Sequence, residues 1–274
     1  MRARAITLAA LTCLDAASAE RVDRNGAVGY GQLLDRLVVA DERVQALSCC
    51  SMKQWNSREL DKLSVYDSLA DVIRALGNAR RLELVELLAQ GEHSVDALAR
   101  MSGMGVTTVS AALQTLKQAG LVKTRRERTT IFYRLAGSDV AELYLVSKRV
   151  GLMRYPQLRE SLTDYMEAAP AGAGVPLIDP ASVTGEMTVI DVRPRQEYEA
   201  GHFPGAVSIP LHELRVRHSE VPRTGVVVYC RGEFCRMARE AAVFLRERGV
   251  DAAAMEEGVI EWRAAGEYDL DAIA

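Results

Sequence analysis

A cysteine that follows an apolar run is the residue of this chain best suited to chemistry. Residues 226–229, Val-Val-Val-Tyr, lead to Cys230, and a short loop through Cys235 then opens a helix predicted over about 236–248. The backbone N–H groups of such a loop and the positive end of the helix dipole stabilise an anion. They lower the pKa of a thiol from its usual value of about 8.5. The pattern therefore predicts a nucleophilic thiolate at Cys230.

The second cysteine of the loop has two interpretations. Cys235 lies close enough in sequence to resolve a persulfide or sulfenate on Cys230 into a disulfide within the loop. It can equally be a small residue that packs inward where the helix begins. The residue types alone leave both interpretations open.

Motifs on either side of the loop occur in a recognisable order. They are Thr188-Val-Ile-Asp191-Val-Arg193-Pro194, Glu197-Tyr198, Gly201-His202-Phe-Pro-Gly205 and, after the loop, Glu257-Gly258-Val-Ile-Glu-Trp262. The segment from about 174 to 270 resembles the single-domain rhodaneses, with Glu257 in place of the first glycine of their closing motif. The resemblance implies an α/β domain that transfers sulfane sulfur through a persulfide on Cys230. It also implies an anion loop that includes Arg231 and Arg236, supported by Asp191, Arg193 and His202.

The same loop permits a different chemistry. Cys230 and Arg236 match the Cys-x5-Arg signature of thiol phosphatases and related arsenate reductases, in which the arginine holds a tetrahedral oxyanion. Tyr229 stands where those phosphatases carry a histidine, and their aspartate acid is not evident. Sulfur transfer is therefore favoured, with a small donor such as polysulfide, thiosulfate or a low-molecular-weight persulfide.

The preceding segment has the pattern of a helix-turn-helix with a wing. Gly77 ends one apolar-periodic helix, and Asn78 and Ser94 can cap the next two. A glycine-containing turn at 102–105 separates a short helix from a longer one over about 106–119, which is the helix-turn-helix layout. Two strand-like runs then flank a basic turn at 125–130. The pattern predicts a winged helix-turn-helix domain.

This arrangement resembles the arsenical-resistance repressor (ArsR) family over residues 64 to 165, notably in Ala75-Leu-Gly-Asn-Ala-Arg-Arg-Leu-Glu-Leu, Gly120-Leu-Val and Tyr133-Arg-Leu. The resemblance implies binding of double-stranded operator DNA, with the second helix of the motif in the major groove and the wing on the backbone. The candidate reading residues are Thr107, Thr108, Ser110, Gln114 and Lys117. The candidate phosphate contacts are Lys123, Arg125, Arg126 and Arg128. Because Ala111 and Ala112 are small, sequence preference is expected to depend on DNA shape.

The resemblance also implies a homodimer and allows a test for metal ligands. Apolar residues of the last helix would form the dimer contact: Leu143, Val146, Val150, Met153 and Leu158. The cysteine, aspartate and histidine ligands by which metal sensors of this family bind their ions do not stand at the corresponding positions, and the four histidines have no partner ligands at useful spacing. No metal and no other cofactor is predicted.

Length and composition fit a multidomain protein. With 274 residues and 49% hydrophobic content, the chain can form two cores. We expect an N-terminal extension at 1–60, either flexible or the result of an upstream start, and a winged helix-turn-helix domain at 61–167. A linker at 168–176, rich in small residues and proline, then leads to a rhodanese-like domain at 177–274. The fold class is thus α+β followed by α/β, and the net charge of −3 does not exclude a nucleic-acid partner.

The remaining signals concern location. An odd count of five cysteines without regular spacing indicates a reducing cytoplasm, and no apolar stretch is long enough to span a bilayer. Residues 1–19 have a signal-peptide-like pattern, but its apolar core is short and Asp15 follows it. Cys49 and Cys50 can form a sensor pair, although adjacent cysteines in an unpatterned region are more often incidental.

Together these features predict a cytoplasmic transcriptional regulator, a repressor by its resemblance, in which a persulfide on Cys230 changes DNA affinity. The alternative is an enzyme, a thiosulfate-type sulfurtransferase or less favourably an arsenate reductase or phosphatase, whose helical domain only dimerises it.

Overall fold

The computed structural model of the chain describes residues 62–167, 174–266 and residue 270. It divides into two compact units, at Tyr66 and Asp67. The first unit is described only at residues 62–66, which are helical. The second unit, Asp67–Ala274, holds everything that follows. The predicted extension at 1–60, with Cys49 and Cys50, and most of the predicted linker lie outside the described residues.

Six helices build the N-terminal part of the described chain. They are α1 (62–76), α2 (Ala79–Leu88), α3 (Val95–Ser102), α4 (Val106–Gln118), α5 (Ser138–Arg154) and α6 (Pro156–Glu167). The Asn78 side chain accepts from the backbone N–H groups of Arg80 and Arg81, and the Ser94 hydroxyl accepts from that of Ala97, so both predicted caps are present. Gly103 takes a left-handed conformation, with φ of 69°, in the turn between α3 and α4.

A small antiparallel sheet completes this part. Its strands are β1 (His93–Ser94), β2 (Val122–Glu127) and β3 (Thr130–Leu135), in the order β1-β3-β2. The hairpin of β2 and β3 is the predicted wing, and β1 pairs with β3 at its other edge. Leu84, Leu98, Leu113 and Leu116 are fully buried between the helices and form the centre of the core.

The C-terminal part is a parallel sheet with helices around it. Its strands are β4 (Leu177–Ile178), β5 (Thr188–Asp191), β6 (Val207–Ser208), β7 (Val226–Tyr229) and β8 (Ala252–Met255), in the order β4-β8-β7-β5-β6. The helices are α7 (Arg195–Glu199), α8 (Leu211–Arg217), α9 (Met237–Arg246) and α10 (Val259–Ala265), with short 3-10 turns at Pro180–Ser182 and His218–Glu220. A central strand, β7, leads to Cys230.

The two parts share a packed boundary. Ile260 of α10 is buried in the core of the N-terminal part, and Ala264 packs against the same core. The apolar cores on the two faces of the parallel sheet are separate from it. The C-terminal part, predicted to be rhodanese-like, is therefore docked through α10 on the N-terminal part, which is called the helical part below. Within the described residues, no helix is long and apolar enough to cross a membrane.

Candidate functional site

Cys230 lies where the most buried strand of the parallel sheet ends. Residues Val226–Tyr229 are fully enclosed, since apolar side chains on both faces of a central parallel strand are covered by helices. Cys230 is only 3% exposed, and its thiol donates to the carbonyl oxygen of Cys235 at 3.2 Å. The Cys235 backbone N–H donates in turn to the Gly232 carbonyl at 2.9 Å. The loop is thus closed over the sulfur.

The acidities of the two thiols differ from the expectation. The sequence predicted a lowered pKa for Cys230, whereas burial and the hydrogen bond to Cys235 raise the pKa of Cys230 well above its ordinary value. The pKa of Cys235 is lowered, first by the hydrogen bond from the Cys230 thiol and also by the positive charge of Arg231. The half-exposed Cys235 can keep solvent contact that Cys230 lacks. In this conformation Cys235 is therefore the first thiolate of the pair.

Arg231 is fixed beside the two sulfurs by a carboxylate on α7. Its Nε and Nη2 atoms both donate to Glu197, with the shortest distance 2.6 Å, and the Glu197 side chain is fully buried. A bidentate arginine–carboxylate pair of this kind is stronger and more directional than a single bond. The negative charge of Glu197 holds the Arg231 cation in place, so the positive charge near the loop is permanent.

Asp191 and Arg193 form a second buried ion pair behind the loop. Both side chains are fully buried, and Arg193 Nη2 lies 2.6 Å from Asp191 Oδ2. The Tyr229 hydroxyl donates to the same oxygen at 2.6 Å, and Arg193 also donates to the Gly201 carbonyl. This network joins the ends of β5 and β7. Such a network is able to support the cysteine loop, and this role of Asp191 and Arg193 stays a prediction.

His202 is buried at the edge of this network. Its ring stacks on the Tyr198 ring with centroids 3.7 Å apart, and its Nδ1 atom lies 2.9 Å from the Tyr198 carbonyl oxygen. Both contacts are with Tyr198 of α7. The structure thus places His202 as a packed and hydrogen-bonded residue.

Arg236 contacts α6 of the helical part and Glu240 of α9. Its guanidinium lies over the Tyr165 ring of α6, 4.4 Å from the centroid, and Nη1 donates to the Tyr165 carbonyl at 3.2 Å. Nε also lies 3.5 Å from a Glu240 oxygen. The role of Arg236 in an anion loop stays a prediction, and the contacts seen here connect the loop to α6.

Close backbone packing holds the loop from below. A Cβ atom on Gly258 would lie 2.5 Å from the Cys230 carbonyl oxygen and from the Gly232 nitrogen, and one on Gly232 would lie 2.7 Å from Ile260 and Glu261 atoms. Only glycine permits so near an approach. The glycine that the closing motif retains therefore seats the cysteine loop on the start of α10.

Two side chains of the helical part reach the loop and were not singled out from the sequence. Gln90 is fully buried; its amide donates to the Arg231 carbonyl at 3.3 Å, and its oxygen accepts from Arg193 at 3.0 Å. Lys148 of α5 pairs with Glu261 and, at 3.1 Å, with Glu233, and lies over the Phe234 ring. Lys148 follows Val140 and Tyr144 on one buried helical face, and that spacing is a signal that could have revealed it.

A half-buried carboxylate of α2 completes this boundary. Burial and the nearby Glu261 raise the pKa of Glu86 to about 7, although Lys148 and Arg231 oppose the rise. The buried Tyr144 hydroxyl is hydrogen-bonded to Glu86. Acidic, basic and phenolic groups from both parts thus meet next to the cysteine loop.

The predicted DNA-reading residues lie along α4. Thr107 and Lys117 are exposed, at the two ends of the helix, while Thr108 and Ser110 are half-buried. The exposed Gln114 donates one N–H to the Tyr133 hydroxyl at 3.3 Å, which leaves its second N–H and its carbonyl oxygen for a base. Their contacts with DNA stay a prediction.

The basic wing presents its cations at the far edge of the sheet. Lys123, Arg125, Arg126 and Arg128 are all exposed, and Arg128 forms the tip with a positive φ of 53°. Arg126 donates to the Arg128 carbonyl at 3.1 Å. Arg125 is paired with Glu92 and Glu127, each at 2.8 Å, and stacks over Phe132.

The fold and these sites define an ArsR-type winged helix-turn-helix protein that carries a C-terminal rhodanese-like domain. A family model described as a rhodanese-like domain matches residues 179–265, and one described as HVO_A0114 matches residues 77–134. The chain is 44% identical, over 75% of its own length and 91% of the other protein, to the HTH-type transcriptional regulator Rv0324 of Mycobacterium tuberculosis. The chain belongs to that family of helix-turn-helix transcriptional regulators.

Two shorter similarities concern the helical part. The chain is 39% identical over 77 residues to the biofilm growth-associated repressor of Xylella fastidiosa, which covers 28% of this chain and 68% of that protein. A homodimeric winged helix-turn-helix DNA-binding domain from Mycobacterium bovis is 48% identical and covers 34% of this chain and 87% of that one, with a TM-score of 0.33.

Proposed function

We propose that the chain is a DNA-binding transcriptional repressor of the cytoplasm that responds to sulfane sulfur through its rhodanese-like domain. The observation that carries the proposal is the contact between the two-thiol loop and the DNA-binding part. Gln90 holds the loop backbone, Lys148 holds Glu233, and Tyr165 holds Arg236. A chemical change in the loop therefore acts directly on helices of the winged helix-turn-helix.

The repressor is proposed to act as a homodimer. Val146, Val150 and Met153 are exposed on one face of α5, and Leu69 and Ile73 are exposed on one face of α1. Large apolar side chains at such spacing are unfavourable in water and are typical of a contact surface. Two copies joined there would bring two α4 helices to a pseudopalindromic operator.

The sulfur chemistry needs only the two thiols and a donor. In the first step the Cys230 thiolate attacks a sulfur of a polysulfide, an S–S bond of the donor breaks, and the remaining polysulfide leaves with the electron pair. In the second step the Cys235 thiolate attacks Sγ of Cys230, and the outer sulfur leaves as hydrosulfide. The product is a Cys230–Cys235 disulfide, and polysulfide is the oxidant.

The lowered pKa of Cys235 fits the resolving role, whereas the raised pKa of Cys230 means that its first attack requires the loop to open. The lower pKa of Cys235 makes it the thiolate that is ready to attack, as a resolving thiol must be. We expect the Cys230 thiol to lose its proton once its hydrogen bond to the Cys235 carbonyl oxygen breaks, that is, when the closed loop opens to the donor. Opening of the loop is therefore coupled to reaction.

Binding to the DNA upstream of the gene, with and without polysulfide, tests the proposal. Wild type is expected to bind tightly in low salt and to release on polysulfide treatment, and Cys230→Ser is expected to bind and not release. Cys235→Ser should form the persulfide, detected by mass, without the disulfide. Release that is unchanged in Cys230→Ser would overturn the sulfur response.

The enzymatic alternative has a distinct outcome in the same preparation. The complete loop on a rhodanese-like sheet is the observation that favours it. Rapid multiple turnover of thiosulfate and cyanide, with no specific DNA binding, would make the chain a sulfurtransferase. Since Cys230 is only 3% exposed, slow turnover is expected in the closed conformation.

A further inference from the structure

One turn of the helical part is held by the rhodanese-like part at four successive residues. Ala89 accepts from Arg263 at 2.9 Å through its carbonyl, and the Gln90 side chain bonds to Arg193 and Arg231. The Cβ of Ala200 lies against Gly91, where any side chain would collide at 2.8 Å. The Glu92 carbonyl accepts from Gln196 at 3.0 Å. We refer to Ala89–Glu92 as the clamped turn.

The clamped turn leads directly into the sheet of the wing. Glu92 immediately precedes β1, and His93 and Ser94 of β1 pair with Tyr133 and Phe132 of β3. The Glu92 carboxylate then reaches across the sheet, with Oε2 2.8 Å from Arg125 Nε and Oε1 3.4 Å from Arg134 Nε. Glu92, which the rhodanese-like part holds in place, thus pairs with two arginines of the wing.

These two cations are suited to DNA. The Arg125 and Arg134 side chains are about half exposed, and both lie on the wing hairpin, beside Lys123 and Arg126. A guanidinium that is paired with a carboxylate neutralises no phosphate, and each phosphate contact contributes to the affinity and to its salt dependence. Glu92 therefore competes with the DNA backbone for these arginines.

We propose that Glu92 is a positioning residue of the wing, which withholds Arg125 and Arg134 from phosphate, and that the rhodanese-like part sets this hold through the clamped turn. The inference rests on the DNA-binding function proposed above and does not require the sulfur chemistry. The affinity of the wing for DNA then depends on the contact between the rhodanese-like part and the helical part. Separation of the boundary frees the clamped turn and loosens the hold on both arginines.

The test is DNA affinity measured across salt concentration for wild type and Glu92→Gln. The amide keeps the shape of the side chain and removes the charge, so the fold is expected to persist, which thermal unfolding checks. Each regained phosphate contact steepens the slope of log K against log salt by about 0.9. Between about 50 and about 200 mM salt, the advantage of the variant over wild type should therefore shrink about 3.5-fold for each contact regained.

Two further variants separate positioning from simple loss of negative charge. Glu160→Gln removes an exposed carboxylate of α6 and should leave the slope unchanged. Gln196→Ala frees the Glu92 carbonyl and should tighten binding in wild type, with no added effect in Glu92→Gln.

The outcomes are distinct. An unchanged salt slope in Glu92→Gln, with wild type binding normally, would overturn the withholding role. An effect of Gln196→Ala of equal size with and without Glu92 would overturn the link to the rhodanese-like part. Failure of wild type to bind any DNA would instead remove the DNA-binding function on which the inference rests.

Discussion

The raised pKa of Glu86 makes the stability of the chain fall with pH in a defined window. Glu86 belongs to α2 and lies near Glu261 of α10, and its pKa rises from 4.5 to about 7 on folding. A carboxyl with a raised folded-state pKa is bound to more protons in the native than in the unfolded state between these two values. Stability is therefore lost as the pH rises from about 4.5 to about 7.

The magnitude follows from the shift. At about 1.4 kcal/mol for each pKa unit, a rise from 4.5 to about 7 corresponds to about 3 kcal/mol of unfolding free energy above the window. Glu86→Gln removes the ionisation and keeps an oxygen that can accept from the Tyr144 hydroxyl. We expect the variant to match wild type near pH 4.5 and to be more stable by about 2 to 3 kcal/mol near pH 8.

Urea unfolding followed by far-UV circular dichroism across this pH range measures the difference. Glu160→Gln, which changes the same functional group at an exposed site, is the control and should show the wild-type pH dependence. A constant offset between Glu86→Gln and wild type at every pH would refute the reasoning, because a shift in ionisation must appear only where the group titrates. A less stable variant near pH 8 would refute it as well.

Four other changes have definite expected results. At neutral pH and short times, iodoacetamide should modify Cys235 before Cys230, since the Cys230 thiol and Arg231 lower the pKa of Cys235. Peptide mass spectrometry identifies the labelled cysteine, and earlier labelling of Cys230 would contradict the lower pKa of Cys235. Glu197→Gln leaves Arg231 without its buried partner and should lower the unfolding free energy by about 3 kcal/mol, measured in urea, with Glu199→Gln, whose side chain is half-exposed, as the control. Gly258→Ala places a methyl group 2.5 Å from the loop backbone and should cost about 1 to 3 kcal/mol and alter the labelling rate of Cys235; a rate equal to that of wild type would argue against close packing. Lys148→Met removes a charge that lowers the pKa of Glu86, so it should move the Glu86 titration, followed by carboxylate NMR, to higher pH; movement to lower pH contradicts the arrangement.

Local features of the fold could be predicted because their causes lie within a few residues. Asn78 and Ser94 cap helices through their own side chains, and Gly103 supplies the left-handed turn that its helix end needs. The end of β7 at Cys230 follows equally from one apolar run. These features depend on neighbours in sequence, so the sequence pattern contains them.

The character of the site depends on groups that are distant in the chain. The lower acidity of Cys230 follows from burial and from the closed loop, and the Arg231 charge favours ionisation of Cys235. Gln90 and Lys148 meet the loop only because α10 docks on the helical part. A sequence pattern shows that Lys148 is on a buried face, but it does not show which carboxylates will compensate its charge.

The two ends of the proposed response are joined by short contacts. Formation of the Cys230–Cys235 disulfide removes the thiolate whose charge lies beside Arg231. Arg231 is bound to Glu197, and the residue before Glu197 on α7, Gln196, holds the carbonyl of Glu92. Glu92 in turn holds two arginines of the wing. Because an allosteric coupling of about 1 to 3 kcal/mol changes affinity several-fold to about a hundredfold, a modest displacement along this path is sufficient for regulation. The coupling of equilibria is reciprocal, so DNA that draws the arginines from Glu92 is expected to shift the dithiol–disulfide equilibrium of the cysteine loop by the same free energy.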